Sequence, residues 1–512
     1  MTRLIFRTIL VFLAPVFATA AEKPNIILIM VDDMGWSDIG CYGSEIETPN
    51  IDRLASEGLL FTNFYNNAKC TTTRASLLTG LYPRNGGKGT NLLTENMLTL
   101  GEALKMAGYK TGLSGKWHNG SSAPHRPFDR GFDKSYGLWD GCCNFFDPSI
   151  PDPKFKGGRT RFFGEDDKRI EEFSEDFFTT DAFTDHALET IKSHVNSGQP
   201  FFHYLPYTEP HYPIHAKPED VAKYKGKYAD GWDALRKKRY QRQVEMGLID
   251  PEVFPEPGPN PDNQSFAEGQ NEDTEWENLR MEAYAAMVDN VDQNIGRLLA
   301  LLDELKVADN TMILFLSDNG ACAETPGGAG NTEHRPGPKE WYSHVGPNWA
   351  YAQNTPFARY KSTTREGGVA TPLVVRWPAK IKPGRKTDQV GHIIDFMPTF
   401  LESAGGEYPL SYRGKPLLQP EGISLLPLLT GEKEKVERPA PLFWHWSKNR
   451  AVREGDWKLV WEARGPNAKQ WRLYNLAKNR TETEDWSDRQ KSKVILMERK
   501  WKAWAALTGV KY

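Results

Sequence analysis

Two continuous apolar runs constrain the fold of this 512-residue chain more than any other feature. They span residues 25–31 and 311–317 and read NIILIMV and TMILFLS. Runs without polar alternation, rich in branched side chains, are typical of strands buried on both faces of a parallel sheet. The sequence therefore predicts an α/β protein with a large, mostly parallel sheet. The chain is long enough for one large domain and a smaller one.

Both apolar runs end in oxygen-bearing side chains. Asp32 and Asp33 follow the first run, and Asp318 and Asn319 follow the second. Ligands bind at the carboxyl ends of strands in open α/β sheets, where two such ends can meet. A helix cap or turn explains one aspartate, but two adjacent carboxylates repel each other unless a cation is near. Because the donors are all oxygens, the pattern favours a hard cation such as calcium or magnesium.

Several basic side chains occupy positions that suit a site. Residues 200–206 read as a further core strand, and they lead to His211 in a proline-flanked loop, which is typical of a histidine held at a site. Lys116 and His118 alternate onto one side of an extended segment, which brings a fixed cation and an imidazole together. The alternative is a solvated lysine and a packed histidine. Lys361, taken alone, reads as a surface cation.

The segment from Cys70 to Gly80 carries the most specific chemical pattern. Cys70 and Arg74 are one helical turn apart, so a helix that begins here places them on one face. The helix N-terminus offers free N–H groups and a partial positive charge, which suits an ester of a tetrahedral oxyanion. Cysteine phosphatases need five residues between the cysteine and the arginine, so the spacing excludes them. The alternative is a buried or disulfide-bonded Cys70 and a surface Arg74.

The longer string from Cys70 to Arg84 resembles the signature of type I sulfatases, Cys-x-Pro-Ser-Arg-Ala-x-Leu-Leu-Thr-Gly. Thr72 stands where that family usually has Pro, or Ala in some members, and Thr73 where it usually has Ser. The third position of the signature is read by the modifying enzymes. Further strings resemble the same family in the same order: Asp32-Asp33, Gly115-Lys116-Trp117-His118, Pro210-His211, Asp318-Asn319-Gly320, and Lys361 before Glu366-Gly367-Gly368.

The resemblance implies a sulfatase of the alkaline phosphatase superfamily, most similar to bacterial arylsulfatases. Such a protein has a large mixed, mostly parallel sheet flanked by helices and a smaller C-terminal domain of antiparallel sheet plus helix. It hydrolyses a sulfate monoester of a small molecule or saccharide, with a formylglycine that a maturase forms from the cysteine. The implied catalytic residues are Cys70, Arg74, Lys116, His118, His211 and Lys361, and the implied ligands of one Ca²⁺ are Asp32, Asp33, Cys70, Asp318 and Asn319.

Three other functions share parts of this pattern. A phosphate or phosphonate ester hydrolase of the same superfamily has the same metal site, but it usually carries Thr or Ser as its nucleophile. A non-catalytic protein that binds sulfated glycans is the alternative if Cys70 is never oxidised. An ordinary thiol hydrolase would lose its activity on alkylation. The alcohol part of the substrate stays open, because the aromatic residues of segments 216–275 and 323–354 suit either an aryl group or a sugar ring.

The two ends of the chain are expected to differ from its catalytic part. Residues 1–20 read as a signal peptide, which predicts export to the periplasm or the medium and no membrane anchor. The catalytic domain is expected at residues 21–430. From residue 431 onward, short tryptophan-rich alternating runs predict an antiparallel sheet covered by a helix, a C-terminal α+β subdomain at residues 431–512. The net charge of −3 gives no reason to expect nucleic acid as a partner.

Three further expectations concern details. The five cysteines are too few to form a disulfide framework, with Cys70 as the plausible unpaired one. The pairing of the other four stays open, and these are Cys41, Cys142, Cys143 and Cys322. Residues 236–239, Arg-Lys-Lys-Arg, are interpreted as a solvated helix face. Residues 323–354 carry no regular signal and are expected to be a loop rich in glycine and proline.

Overall fold

The computed structural model describes residues 23–84, 93–256, 258–259, 265–266, 274–328, 333–465 and 468–512. The predicted signal peptide at residues 1–20 lies outside these ranges. Within them, none of the helices combines the length and the apolarity that crossing a bilayer requires.

The strands within these ranges are short, and most have two to seven residues. They are β1 (Asn25–Val31), β2 (Leu59–Tyr65), β3 (Lys110–Ser114), β4 (Lys134–Leu138), β5 (Phe163–Glu165), β6 (Lys168–Ile170), β7 (Phe201–Pro206), β8 (Thr311–Ser317), β9 (Ala370–Arg376), β10 (Arg385–Thr387), β11 (Gly391–His392), β12 (Ser411–Tyr412), β13 (Lys415–Pro416), β14 (Leu442–Trp446), β15 (Asn449–Glu454), β16 (Trp457–Trp461) and β17 (Trp471–Asn475).

The α-helices vary more in length. They are α1 (Pro49–Ser56), α2 (Cys70–Thr79), α3 (Leu100–Met106), α4 (Thr179–Asn196), α5 (Pro218–Lys223), α6 (Gly231–Glu245), α7 (Thr274–Glu304), α8 (Gly346–Gln353), α9 (Glu366–Val369), α10 (Phe396–Ser403), α11 (Leu426–Leu429) and α12 (Lys491–Thr508).

An 11-stranded sheet forms the centre of the molecule, in the order β10-β2-β9-β8-β1-β7-β3-β4-β5-β6, with β11 paired to β2. The strands β8, β1, β7, β3 and β4 are parallel to their neighbours within this set. Strand β9 is antiparallel to both β2 and β8, and β5 and β6 form an antiparallel edge. The predicted mixed, mostly parallel sheet is therefore confirmed.

The first apolar run has no polar alternation because both faces of β1 are covered. Ile27 points into a core that it shares with Met287 of α7, whereas Ile26 and Leu28 point into a second core that contains Leu77 of α2. All five side chains are fully buried. Burying a side chain of this size stabilises the fold by about 1.5–3 kcal/mol, so each face of the strand contributes to holding the helices on the sheet.

The C-terminal part of the chain forms a separate antiparallel sheet, β14-β15-β16-β17, as predicted. Helix α12 packs against it through Trp501 and Trp504, which are buried. The Trp501 indole also donates a hydrogen bond of 3.0 Å to the carbonyl of Trp444 in β14. The helix is therefore held by both apolar burial and a directional contact.

A buried ion cluster joins this smaller sheet to the central one. Glu366 at the start of α9 accepts hydrogen bonds of 2.7 Å from Lys458 in β16 and 2.7 Å from Arg480. Lys458 also lies 3.1 Å from Glu482, and all four side chains are almost fully buried. Burial raises the pKa of Glu366, but Lys458, Arg480 and Arg453 together lower it to about 2. The cluster is thus charged throughout the neutral range.

The interpretation of residues 236–239 as a solvated helix face is wrong for the two arginines. Lys237 and Lys238 are exposed, but Arg236 and Arg239 are buried on the opposite side of α6. Arg239 forms an ion pair with Asp38, and Arg236 donates to main-chain carbonyls in and after α8. Buried acceptors far away in the sequence, which no local pattern reveals, account for the difference.

One other expectation is also corrected. Helix α8 occupies part of the segment that was expected to be a loop, and it forms because Trp349 and its neighbours pack against α6. Tertiary packing here outweighs the weak local helix signal. All five cysteines are free, so the pairing that the sequence analysis left open does not arise in the structure.

We expect Lys458→Met to destabilise the folded protein by about 3–5 kcal/mol, because Glu366 and Glu482 then stay buried without this cation. Urea unfolding followed by tryptophan fluorescence measures the change. The control is Lys502→Met, which removes an exposed pair with Glu498 and should cost less than about 1 kcal/mol. Equal unfolding midpoints for the two variants would contradict the assignment of the cluster as a structural link.

Candidate active site

The acidic residues meet because β1 and β8 are parallel neighbours in register, with Val31 opposite Ser317. The next residues along each strand therefore lie side by side at one edge of the sheet. The main-chain N–H of Asp33 donates to Asp318 Oδ1 (3.2 Å), and Asn319 Nδ2 donates to Asp33 Oδ1 (2.6 Å). Asp33 adopts a left-handed φ of 69°, which turns the chain sharply at the end of the strand.

Each of the three carboxylates is paired with a cation from a different part of the chain. Arg74 donates two hydrogen bonds to Asp318 Oδ2, of 3.1 Å from Nε and 2.8 Å from Nη2. Lys116 pairs with Asp32 Oδ2. The remaining carboxylate, that of Asp33, lies 2.7 Å from Lys361 Nζ. All six charged side chains are buried. Removing a single charge from water is unfavourable, and the attraction between each carboxylate and its cation offsets that desolvation free energy.

Two oxygen atoms at the centre of this cluster have no hydrogen-bond partner among the described residues, Asp32 Oδ1 and Asn319 Oδ1. Arg74 Nη2 approaches the first to 3.7 Å only. Burial raises the pKa of Asp32 well above its usual range, and the neighbouring Asp318 carboxylate raises it further. Buried unsatisfied oxygens next to crowded carboxylates are what a bound cation would relieve.

The same geometry defines a possible metal position. Ligand atoms of Asp32, Asp318 and Cys70 all lie within 4.8 Å of one another, and so do those of Asp32, Asp33 and His211. Asp32 belongs to both groups, so the two positions adjoin. Most of the donor atoms are oxygens, which suits a hard cation.

Cys70 is the first residue of α2 and is 2% exposed. Burial raises the pKa of its thiol, although Lys116 and Lys361 oppose this effect. A thiol with a raised pKa is a weak nucleophile, because the thiolate is the reactive form. An ordinary thiol hydrolase is therefore disfavoured, while the free N–H groups at the start of α2 suit an anionic ligand beside residue 70.

The two threonines that depart from the usual sulfatase signature stabilise the start of α2. Thr72 Oγ1 donates to the carbonyls of Asn67 and Lys69, both at 2.9 Å. Thr73 Oγ1 accepts a hydrogen bond of 3.0 Å from the N–H of Asn67. Both hydroxyls tie the helix back to the preceding turn, which holds residue 70 in place.

Two histidines complete the cluster. His211 Nε2 lies 3.3 Å from Asp33 Oδ2, and its pKa is well below the usual value because of burial and the nearby Lys361 and Lys116. Burial, Lys116 and Arg74 likewise lower the pKa of His118. His118 Nδ1 is buried and accepts no hydrogen bond from any part of the chain that the structure describes. Both rings are therefore neutral at neutral pH and available for proton transfer.

The structure thus brings all ten predicted site residues into one cluster at the carboxyl ends of β1 and β8. It also adds a residue that the sequence analysis did not single out. Glu324 pairs with Lys69, accepts a hydrogen bond of 2.7 Å from Tyr212 Oη, and lies 3.9 Å from Lys361 Nζ. Glu324 lies in a segment whose sequence shows no helix or strand pattern. The available indication was Tyr212, which follows His211 in the sequence and needs a hydrogen-bond partner for its hydroxyl.

Comparisons with known proteins agree with this geometry. The Sulfatase family profile matches residues 24–406, and the profile described as N-sulphoglucosamine sulphohydrolase, C-terminal, matches residues 360–504. An uncharacterized sulfatase of Schizosaccharomyces pombe is 32% identical over 535 residues, which cover 96% of this chain and 95% of that protein. The arylsulfatase of Klebsiella aerogenes is 31% identical over 80% of this chain and 92% of its own length.

Among solved structures, Ps i-CgsB in complex with k-i-k-neocarrahexaose matches with a TM-score of 0.68 and 26% identity, over 94% of this chain and 93% of that chain. The family profile spans well over half of the 512 residues, and the two relatives cover 96% and 80% of the chain. The chain belongs to the sulfatase family and is a sulfuric ester hydrolase.

Proposed function

We propose that this sulfatase cleaves its ester with a formylglycine formed from Cys70 by a maturase, beside one calcium ion. The ligands proposed for that ion are Asp32, Asp33, Asp318, Asn319 and residue 70. The observation that carries the proposal is the set of unpartnered oxygens, Asp32 Oδ1 and Asn319 Oδ1, beside a buried Cys70 at a helix N-terminus.

The charges of the cluster support a divalent cation. Three carboxylates face three fixed cations, so the net charge of these six side chains is zero. A divalent cation adds two positive charges, and an anionic sulfate ester offsets one of them. Calcium fits better than a transition metal because the ligands are mainly oxygens. When bound, such an ion acts as a Lewis acid that stabilises negative charge on neighbouring oxygens.

The hydrated aldehyde of a formylglycine would supply one hydroxyl for attack on sulfur, which breaks the bond between sulfur and the alcohol oxygen. Loss of the proton from the second hydroxyl would then expel sulfate and regenerate the aldehyde. Lys116 and Lys361 bind the sulfate oxygens once the aspartates engage a cation, since both ammonium groups already lie inside the cluster. Arg74 holds Asp318 in place. It also donates a hydrogen bond of 2.7 Å to the carbonyl of Lys116, which positions that lysine. These fixed cations act where negative charge develops in the transition state.

The two histidines suit opposite proton transfers. Lys361 and Lys116 help to keep His211 neutral, and an anionic ester bound between them offsets their charge, so that His211 can carry a proton to the departing alkoxide. His118 Nδ1 has no hydrogen-bond partner within the described ranges, and burial together with Lys116 and Arg74 lowers the pKa of the ring, so the neutral ring can accept the proton of the second hydroxyl.

Oxidation of residue 70 is the first test. Purified protein co-expressed with a formylglycine-generating maturase should release sulfate from an aryl sulfate, and the peptide that contains residue 70 should carry an aldehyde by mass spectrometry. Cys70→Ala should lower kcat at least about 1,000-fold, as expected when a nucleophile is removed. Iodoacetamide should leave the activity of the oxidised enzyme intact.

The matched control is Cys41→Ala, because Cys41 is a free cysteine outside the cluster and half-buried. It should keep full activity. Hydrolysis by protein whose residue 70 is entirely thiol, or its loss on alkylation, would refute the role of formylglycine. Release of phosphate but not sulfate from matched aryl esters would point instead to the phosphate hydrolase alternative.

Metal binding is tested by thermal melting. Removal of calcium with EGTA should lower the melting temperature by several degrees and abolish sulfate release, because the crowded carboxylates lose their cation. Added Ca²⁺ should restore both, and Mg²⁺ at equal concentration should restore less. Asn319→Ala should weaken Ca²⁺ binding by about tenfold or more in calorimetry.

Asn196→Ala serves as the control for that variant, since Asn196 is an exposed asparagine at the end of α4. Its calcium affinity should equal that of the parent protein. A melting temperature that responds to neither EGTA nor Ca²⁺ would overturn the metal assignment independently of any activity measurement.

A further inference from the structure

A row of aromatic rings begins at His211 and leads away from the cluster. The His211 and Tyr212 ring centroids are 4.1 Å apart, and those of Tyr212 and Tyr342 are 6.0 Å apart. Both tyrosines are nearly buried. The inner end of the row therefore lies directly beside the group proposed to protonate the departing alcohol.

The outer end of the row reaches the surface. Ring centroids are 5.7 Å apart for Tyr342 and Phe155, 5.8 Å for Phe155 and His334, and 5.5 Å for His334 and Trp341. Phe155 is 44% exposed and Trp341 is 41% exposed. We call the five residues Tyr212, Tyr342, Phe155, His334 and Trp341 the aromatic row. Large aromatic side chains that are this exposed to solvent indicate a binding surface, particularly when they adjoin a catalytic cluster.

The aromatic row is held in place before any ligand arrives. Neighbouring rings in its outer part are near-perpendicular, at 84–86°, which is a favourable edge-to-face arrangement. The N–H of Tyr342 donates to His334 Nδ1 (3.1 Å), and His215 Nε2 contacts the carbonyl of Trp341 at 2.8 Å. A surface fixed in this way loses little conformational entropy when a ligand binds.

Polar groups flank the inner end of the aromatic row. The Glu324 side chain is 36% exposed and accepts the hydrogen bond from Tyr212 Oη. Lys156 Nζ donates to the same hydroxyl (3.3 Å) and lies 4.9 Å from the Tyr212 ring. A carboxylate and an ammonium beside an aromatic surface match a sugar, which has hydroxyls around its edge and C–H groups on its face. A simple phenol has no further hydroxyl to bind.

We propose that the aromatic row, together with Glu324, binds the alcohol part of the substrate, and that this alcohol is a saccharide of at least two sugar units. The inference rests on the proposed function, because that function places the ester at residue 70 and the leaving oxygen at His211. A single phenyl ring bound beside His211 would use the inner end of the aromatic row, since Phe155 and Trp341 lie two and four ring contacts outward from Tyr212. The exposed rings of Phe155 and Trp341 then have a partner only if the substrate continues outward as a chain.

Kinetics with paired substrates test the proposal. The probes are 4-nitrophenyl sulfate and pairs of sulfated mono- and tetrasaccharides with the same sulfated unit, drawn from chondroitin, heparan and carrageenan. At least one tetrasaccharide should have a KM about tenfold or more below that of its monosaccharide. Trp341→Ala and Phe155→Ala should each raise the tetrasaccharide KM about five- to tenfold with kcat unchanged, and leave 4-nitrophenyl sulfate hydrolysis as it was.

Phe128→Ala is the matched control, because Phe128 has nearly the same exposure, 43%, and lies on the separate turn Phe128–Arg130. It should change none of these constants. Glu324→Gln, which also removes a charge beside Lys69 and Lys361, should raise KM for the saccharides by a larger factor than KM for the aryl sulfate.

The outcomes separate the two proposals. If 4-nitrophenyl sulfate is hydrolysed but no saccharide is either hydrolysed or able to compete with it, the saccharide inference is overturned and the proposed function stands. Equal loss of aryl and saccharide turnover in Trp341→Ala and Phe155→Ala also overturns the inference. If no sulfate is released from any probe by protein that carries the aldehyde, the proposed function fails.

Discussion

The site depends on the burial of three carboxylates at the ends of two parallel strands. Taking such charges out of water costs several kcal/mol each, so every one needs a cation with good geometry. Those cations are Arg74, Lys116 and Lys361, which are far apart in the sequence. The ion pairs that offset this cost therefore hold three distant segments, helix α2 among them, at one edge of the sheet, and the residues of those segments become neighbours.

The parts of this arrangement that follow from local pattern were predictable. The apolar runs at residues 25–31 and 311–317 indicated buried strands, and the polar residues that follow them indicated where the strand ends meet. Spacing and context made His211 and the Cys70–Arg74 and Lys116–His118 pairs candidates, and resemblance to the sulfatase signatures assigned their roles. On its own, Lys361 reads as a surface cation, and only the fold shows that it is buried against Asp33.

What the sequence did not predict shares one physical origin, which is a partner far away along the chain. Arg239 reads as part of a solvated basic run, yet Asp38 lies 201 positions before it and holds it in the interior. Glu324 sits in a segment without periodicity, and its importance comes from Lys69 and Tyr212. Charge pairing between distant segments leaves no trace in hydrophobic spacing, so pattern analysis finds elements more readily than it finds such contacts.

The burial of Cys70 has a consequence for how the enzyme is made. A side chain that is 2% exposed, at the start of a helix packed into the core, offers no access to another protein. If residue 70 is oxidised by a maturase, the reaction has to precede folding and compete with it during synthesis or export. Under the proposed function, chains that fold before oxidation would stay inactive, so the active fraction of a preparation would report how often oxidation precedes folding.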